Sequence, residues 1–134
     1  MQYLLDTDTC IDLLRNRRDV VQHASDVSPD DCAISTVTAY ELLTGVKKCR
    51  DPDSERDKVE MFLGTLHELP YDHAAAERTA TVREALERRG HMIGPYDVML
   101  AGQALAGGLV LVTSNTNEFN RVKGLRTIDW RESS

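Results

Sequence analysis

Short apolar runs alternate along the chain with longer segments in which apolar residues recur every three or four positions. The short runs are typical of buried strands and cover residues 1–5, 32–35, 109–112 and 125–128, with a less apolar candidate at 67–70. The run at 109–112 is entirely branched and apolar, as a central strand of a parallel sheet should be. The chain therefore contains four or five predicted strands.

The longer segments predict seven helices. They cover residues 8–14, 20–24, 37–48, 55–66, 72–90, 95–107 and 117–121. Asp8 is predicted to cap the first helix, and Ser54 with Asp57 resembles a capping box for the fourth. Asp72 begins the longest helix, and Gly90 is expected to end it.

Strands that alternate with helices predict an α/β fold, arranged as three α/β/α layers around a central parallel sheet of four to five strands. No linker, internal repeat or low-complexity segment divides the sequence, so residues 1–134 are expected to form one domain. If the first strand and the strand at 109–112 are central neighbours, the segments that follow them flank one crevice. Parallel α/β sheets bind ligands at this carboxyl edge.

Composition narrows the possible functions. The 3 cysteines have neither CxxC spacing nor a nearby histidine, which excludes a disulfide framework and a cysteine metal site. The net charge of -6 argues against broad electrostatic binding to nucleic acid, although a metal at an acidic site would reverse the local field. Aromatic residues, at 5%, are too few for the stacking platforms of sequence-reading RNA modules. No charged leader or long apolar run is present, so a cytoplasmic protein without membrane contact is expected.

Acidic residues stand at four places that the predicted sheet brings toward this crevice. Asp6 directly follows the first strand, with Asp8 two residues later, and Glu118 follows the fourth strand. Glu41 lies in an otherwise apolar-rich helix, and Asp97 lies in the first turn of a helix that carries no other charge. These placements are unusual, because unpaired carboxylates are rarely buried.

Helix capping is an alternative explanation for each acid taken singly. Thr38 and Glu41 match a capping box, Asn115 and Glu118 match a cap with its acid three residues later, and Asp97 suits the positive end of a helix dipole. Four acidic elements that meet at one sheet edge are less easily explained in this way.

A cluster of carboxylates at one sheet edge favours a divalent metal site. Mg²⁺ takes oxygen ligands and is usually held by one or two carboxylates together with substrate phosphate. Without a metal, close carboxylates repel one another and raise each other's pKa. One or two bound ions relieve this repulsion and activate a water for attack on phosphorus. No Ser, Cys or His stands in a motif that would make it the nucleophile.

Four segments, in order, resemble the PIN-domain ribonucleases, in particular the VapC-type toxins of bacterial toxin–antitoxin pairs. They are Leu-Leu-Asp-Thr-Asp at 4–8, Tyr-Glu-Leu-Leu-Thr-Gly at 40–45, Gly-Pro-Tyr-Asp at 94–97, and Thr-Ser-Asn-Thr-Asn-Glu-Phe at 113–119. The resemblance implies a small parallel-sheet fold and Mg²⁺- or Mn²⁺-dependent endonucleolytic cleavage of RNA, often a tRNA. It also implies a homodimer, and a cognate antitoxin protein that contacts and inhibits the acidic site in a hetero-oligomer.

The same resemblance implies roles for individual residues. Asp6, Glu41 and Asp97 match the three best-defined acidic positions of the family. Asp6 and Asp97 are the expected metal ligands, and Glu41 is expected to act directly or through water. Thr7 is expected to orient the site through its hydroxyl, and Asp8 to cap the following helix with at most a supporting role.

The fourth acidic position departs from the family pattern. Many relatives carry Asp two residues after the Thr that ends the fourth strand, and this chain has Asn115 there. Glu118 is the expected replacement, acting directly or through a metal-bound water. Thr113 and Asn115 are then polar supports, and whether Asn115 or Glu118 fills the fourth position stays open.

Two other functions stay open on the residues alone. A HAD-like phosphatase would use Asp6 as the nucleophile of an aspartyl-phosphate, with Asp8 as the acid two residues later. That chemistry also needs a Lys and a further acidic pair at later strand ends, which the stretch after residue 112 lacks. A catalytically weak PIN-like binding protein would keep the acids as helix caps, and Asn115 leaves this hypothesis open.

Overall fold

Five parallel strands form the centre of the molecule in a computed structural model, which describes residues 1–131. The strands are β1 (Tyr3–Leu5), β2 (Cys32–Ser35), β3 (His67–Leu69), β4 (Val110–Val112) and β5 (Thr127–Ile128), in the spatial order β3-β2-β1-β4-β5. Leu4 lies opposite Leu111 in the register of β1 with β4. The predicted parallel sheet is confirmed, and β1 and β4 are neighbours, which is the condition under which the segments that follow them flank one crevice.

Seven α-helices lie in the described residues, and their lengths follow the predicted pattern with shifted ends. They are α1 (Thr7–Leu14), α2 (Arg18–Ser25), α3 (Thr36–Lys48), α4 (Pro52–Leu63), α5 (His73–Arg89), α6 (Pro95–Gly107) and α7 (Thr116–Phe119). The side chain of Asp72 caps α5, and Gly90 ends it at a φ of 70°, a left-handed conformation that favours glycine. Both ends of the longest helix are therefore as predicted.

Two predicted helix caps are wrong. Asp6, not Asp8, caps α1, because the backbone N–H of Thr9 donates to Asp6 Oδ1 at 2.8 Å. Asp8 lies exposed in the first turn of α1. The cap of α4 is Asp51, not Ser54, since Pro52 starts this helix earlier than expected and Pro suits the first helical position.

Side chains that alternate along the strands fill two apolar cores, one on each face of the sheet. Leu4 and Leu111 point toward the face covered by α5 and α6. Leu5 and Val112 point toward the opposite face, where α1, α3 and α4 pack. The predicted α/β/α layering is confirmed, and the acids that follow the strands lie at the edge between the two helical layers.

The segment after β5 is joined to α1 by an ion pair. The Arg131 guanidinium donates from Nε to Asp12 Oδ2 at 2.8 Å and from Nη2 to Asp12 Oδ1 at 2.9 Å. The Asp12 side chain is only 12% exposed, so its carboxylate depends on this partner for much of its solvation.

Replacement of Arg131 by Ala should lower the free energy of unfolding by about 1–2 kcal/mol, because it leaves the Asp12 carboxylate buried without its donor. Chemical denaturation monitored by circular dichroism measures this change. Arg50 is exposed and forms no ion pair within residues 1–131, so Arg50→Ala is the matched control, expected within about 0.5 kcal/mol of wild type. Equal stabilities of the two variants would contradict the structural role of the pair.

None of the helices within residues 1–131 is both long enough and apolar enough to cross a membrane.

Candidate functional site

The carboxyl ends of β1 and β4 place two buried polar residues side by side. Asp6 follows β1 and is 3% exposed, and Thr113 follows β4 and is 0% exposed. The Asp6 N–H donates to the Val112 carbonyl at 3.0 Å, and the Thr9 hydroxyl donates to the same carbonyl at 3.1 Å. Backbone and cap bonds from both strands therefore fix the Asp6 carboxylate at the sheet edge.

The surroundings of Asp6 act in opposite directions on its ionisation. Burial raises the pKa of the Asp6 carboxyl, and the nearby charge of Asp8 adds to this effect. Hydrogen bonds from Thr113 and Thr9 favour the ionised form and partly offset the effect of burial. Asp6 is thus a carboxylate held in place by its neighbours, with little water to solvate it.

Thr7 connects the end of β1 to α3. Its hydroxyl donates to Glu41 Oε1 at 2.6 Å and lies 3.1 Å from the Thr38 hydroxyl. The capping explanation for Glu41 is wrong, because Ser35 caps α3 and Thr38 is buried inside the helix. Glu41 instead turns toward the sheet edge, where the Thr7 hydroxyl orients its carboxylate.

Asp97 lies where the acidic side chains converge. Burial and four neighbouring carboxylates raise the pKa of Asp97 to about 6. In decreasing order of effect, the carboxylates are Asp6, Glu118, Asp8 and Glu41. Asp97 does lie in the first turn of α6, where the helix dipole favours an acid, yet its pKa rises. Burial and like charge therefore outweigh the dipole, and capping alone does not explain this residue.

The fourth acidic element follows β4. The Asn115 N–H donates to the Thr113 hydroxyl at 2.9 Å, and the Asn115 side chain does not cap α7. Glu118 lies half-buried in α7, and its charge raises the pKa of Asp97. The cap predicted from Asn115 and Glu118 is absent within residues 1–131. Glu118 is instead part of the acidic group, because its charge acts on Asp97.

The acids converge without forming a closed cage. Within residues 1–131, no three His, Cys, Asp or Glu side chains are close enough to share one metal ion, and none of the five acids forms an ion pair. The strongest charge effects on Asp97 all come from carboxylates. A hard divalent cation fits this surplus of oxygen donors and negative charge, because it supplies the missing positive charge and completes its coordination with water.

Two tyrosines beside the acids were missed by sequence reasoning. Tyr40 precedes Glu41 on α3, and Tyr96 precedes Asp97 on α6. Their ring centroids are 5.6 Å apart and their hydroxyls are 3.1 Å apart. In the sequence, each of these tyrosines directly precedes an acid of the site. This pattern could have indicated an aromatic contact, but the low total of aromatic residues argued against one.

A groove of about 600 Å³ lies beside Glu41 between α1, α3 and α4. Its apolar lining consists of Ile11, Leu14, Leu42, Val46 and Val59. Arg15 and Lys58 line the same groove together with the acids Glu41 and Glu55, so its basic and acidic side chains are equal in number. An apolar groove with charged side chains of both signs thus lies beside one of the four acidic elements.

Comparison with known proteins gives consistent matches over almost the whole chain. The family model described as PIN domain matches residues 3–125. The tRNA(fMet)-specific endonuclease VapC of Shigella flexneri is 40% identical over 130 residues, which are 97% of this chain and 98% of that protein. DNA-bound VapBC from Salmonella typhimurium superposes with a TM-score of 0.93 at 38% identity, covering 98% of this chain and 99% of that chain. VapBC2 from Rickettsia felis, bound to a promoter DNA fragment, gives 0.90 at 28% identity, covering 98% and 100%.

Proposed function

The chain belongs to the PIN-domain family, and we propose that it is the toxin of a toxin–antitoxin pair, an endoribonuclease that hydrolyses a phosphodiester bond of tRNA. The convergence of four carboxylates on Asp97 carries this proposal. The 40% identity to an endonuclease named for tRNA(fMet) supports that RNA as the substrate. Family membership removes the HAD-like phosphatase from consideration.

The acidic group is proposed to hold Mg²⁺ or Mn²⁺. Asp6 and Asp97 would contact the ion, and Glu41 and Glu118 would act through metal-bound water, since no three acids within residues 1–131 are close enough to share one ion. When bound, the ion supplies a positive charge that activates water and stabilises the leaving oxygen. The all-carboxylate surroundings of Asp97 support this assignment.

The protein's own groups fix the geometry of this site. The backbone N–H of Thr9 holds the Asp6 carboxylate, and the Thr7 hydroxyl holds Glu41. The Thr113 hydroxyl connects Asp6 with Asn115, because it hydrogen-bonds to the Asp6 carboxylate and accepts from the Asn115 N–H. We assign Asp8 and Asn115 supporting roles, since Asp8 adds negative charge near Asp97 and Asn115 is tied to Thr113.

The proposed partner is a cognate antitoxin protein, which inhibits the toxin by covering the acidic site. One chain of the VapBC structure from Salmonella typhimurium and one chain of the VapBC2 structure from Rickettsia felis superpose on this chain with TM-scores of 0.93 and 0.90. The apolar groove beside Glu41 is the proposed binding site of an antitoxin segment, since Glu41 of the acidic group lines it. We further propose that the protein is a homodimer. It would act in the cytoplasm, where tRNA is found.

Incubation of the purified protein with tRNA(fMet) tests the activity. Cleavage at a defined bond is expected with Mg²⁺ or Mn²⁺ and should stop with EDTA. Asp6→Asn is the sharpest variant, because the Asn amide oxygen can still accept the Thr9 cap bond and preserve α1. Binding of tRNA without cleavage at any metal concentration would favour the PIN-like binding protein instead.

Thermal melts should reveal the repulsion around Asp97. The pKa of Asp97 is raised from 3.8 to about 6, so the folded state binds this proton more tightly than the unfolded chain. The metal-free protein therefore gains stability from this group at low pH and loses it as the pH rises from about 4 to about 6. The Asn side chain at position 97 of Asp97→Asn does not titrate. The difference between the Tm of the variant and the Tm of wild type should therefore increase as the pH rises over this range. A constant difference would contradict the crowded cluster.

Addition of Mg²⁺ or Mn²⁺ at pH 7 should raise the Tm of wild type more than that of Asp97→Asn, because a ligand that binds only the folded state stabilises it. Equal shifts for both proteins would place the metal elsewhere.

A further inference from the structure

Two large aromatic rings lie exposed beside the acidic group. Tyr40 is 54% exposed and Tyr96 is 39% exposed, although each is adjacent in sequence to an acid of the site. Their rings meet edge to face, with an angle of 67° between their planes. The hydroxyls bond to each other, so each ring limits the rotation of the other. The pair thus links α3 to α6 through a rigid aromatic surface that faces solvent.

We infer that the Tyr40–Tyr96 pair is a platform on which an RNA base next to the cleaved phosphodiester bond stacks. This inference rests on the proposed ribonuclease function and identifies how that site positions its substrate. Stacking of a base on an aromatic ring tolerates any sequence, because every base has a flat aromatic face. Each stacked base adds to the binding free energy.

The charge of the protein explains why such a platform is needed. RNA is a polyanion, whereas the chain has a net charge of -6 and its site is lined by carboxylates. Electrostatic attraction to phosphate, which dominates many nucleic-acid complexes, is therefore weak at this surface. Stacking depends on apolar ring surface and not on phosphate charge, so it can hold a nucleotide against an acidic site. The preformed pair also lowers the ordering cost of binding.

Steady-state cleavage of tRNA(fMet) by Tyr40→Ala and Tyr40→Phe tests the platform. Tyr40→Ala should raise KM about tenfold with a smaller effect on kcat, because it removes the stacked base but leaves the acids in place. Tyr40→Phe should recover most of this loss, since it keeps the ring. Met61→Ala is the control for loss of an exposed apolar side chain, because Met61 lies on α4 and is 77% exposed.

A binding measurement separates this inference from the proposed activity. Asp97→Asn is used to hold uncut tRNA(fMet) that carries 2-aminopurine beside the mapped cleavage site. Stacking on the tyrosines should quench the fluorescence of this base, and the added Tyr40→Ala substitution should restore it. If wild type does not cleave tRNA(fMet), the proposed function fails and no cleavage site can be mapped. The platform is then tested with a short single-stranded RNA that carries one 2-aminopurine, whose fluorescence wild type should quench and Tyr40→Ala should not.

Three results would overturn the platform. Unchanged KM and unchanged quenching in Tyr40→Ala would show that no base stacks there. An equal loss in Tyr40→Phe and Tyr40→Ala would assign the effect to the hydroxyl and not to the ring. A changed oligomeric state of Tyr40→Ala in light scattering would make the pair an interface between copies of the chain.

Discussion

Replacement of Asp97 by Asn should reduce the rate of RNA cleavage at least about 100-fold while the protein stays folded, because metal-assisted charge stabilisation is worth several kcal/mol. The charges of the other four acids raise the pKa of Asp97, so this residue lies among them. The Asn side chain has almost the same size as Asp, and its neutral amide removes one proposed metal ligand. The rate is measured with tRNA(fMet) at saturating Mg²⁺, and folding is checked by circular dichroism.

Asp53→Asn is the matched control for this substitution. Asp53 also lies in the first turn of a helix that begins with Pro, but it is exposed on α4. Loss of the same helix-dipole interaction in both variants isolates the role of the acidic group. If Asp97→Asn cleaves tRNA as fast as Asp53→Asn, Asp97 is not part of the catalytic site.

The positions and the parallel type of the strands could be predicted because each local signal agreed with the sheet, whereas their spatial order was not predicted. The apolar run at 109–112 required burial on both faces, and β4 indeed lies beside β1 at the centre. Helix starts were harder to place, since Asp6 and Asp8 are both good caps and only the position of the chain after β1 decides between them. The same limit applies to Asp51 and Ser54 at α4.

The acidic positions could be predicted from topology, whereas their contacts could not. Because β1 and β4 are neighbours in a parallel sheet, the segments that follow them meet at one sheet edge, and Asp6 and Glu118 both act on Asp97 there. The Thr7–Glu41 bond instead joins residues 34 positions apart, and the Tyr40–Tyr96 bond joins residues 56 apart. Such contacts depend on how α3 packs against its neighbours, and no local pattern encodes that packing. The cap of α1 was assigned to Asp8 for a related reason, because no local pattern shows that the single carboxylate of Asp6 both caps α1 and faces the site.

The contact between α5 and α6 leaves no room for a side chain at Gly102. A Cβ at this position would lie 2.6 Å from the backbone N and Cα of Thr79, and closer still to the Thr79 hydroxyl. That hydroxyl cannot move aside without loss, because it donates to the Ala75 carbonyl at 2.8 Å and accepts from the Tyr71 hydroxyl at 2.7 Å. The helices themselves must therefore separate to admit even one methyl group.

Gly102→Ala should for this reason lower the free energy of unfolding by about 2–4 kcal/mol, even though Ala favours a helix by about 1 kcal/mol over Gly. Gly45→Ala in α3 is the matched control, since nothing lies within 4 Å of its added Cβ, and it should raise stability by about 0.5–1 kcal/mol. Chemical denaturation of both variants measures these opposite signs. Because α6 also carries Asp97, cleavage by Gly102→Ala should fall even under conditions where the variant remains folded. A stabilised Gly102→Ala protein would show that α5 and α6 are not in the close contact on which the position of Asp97 depends.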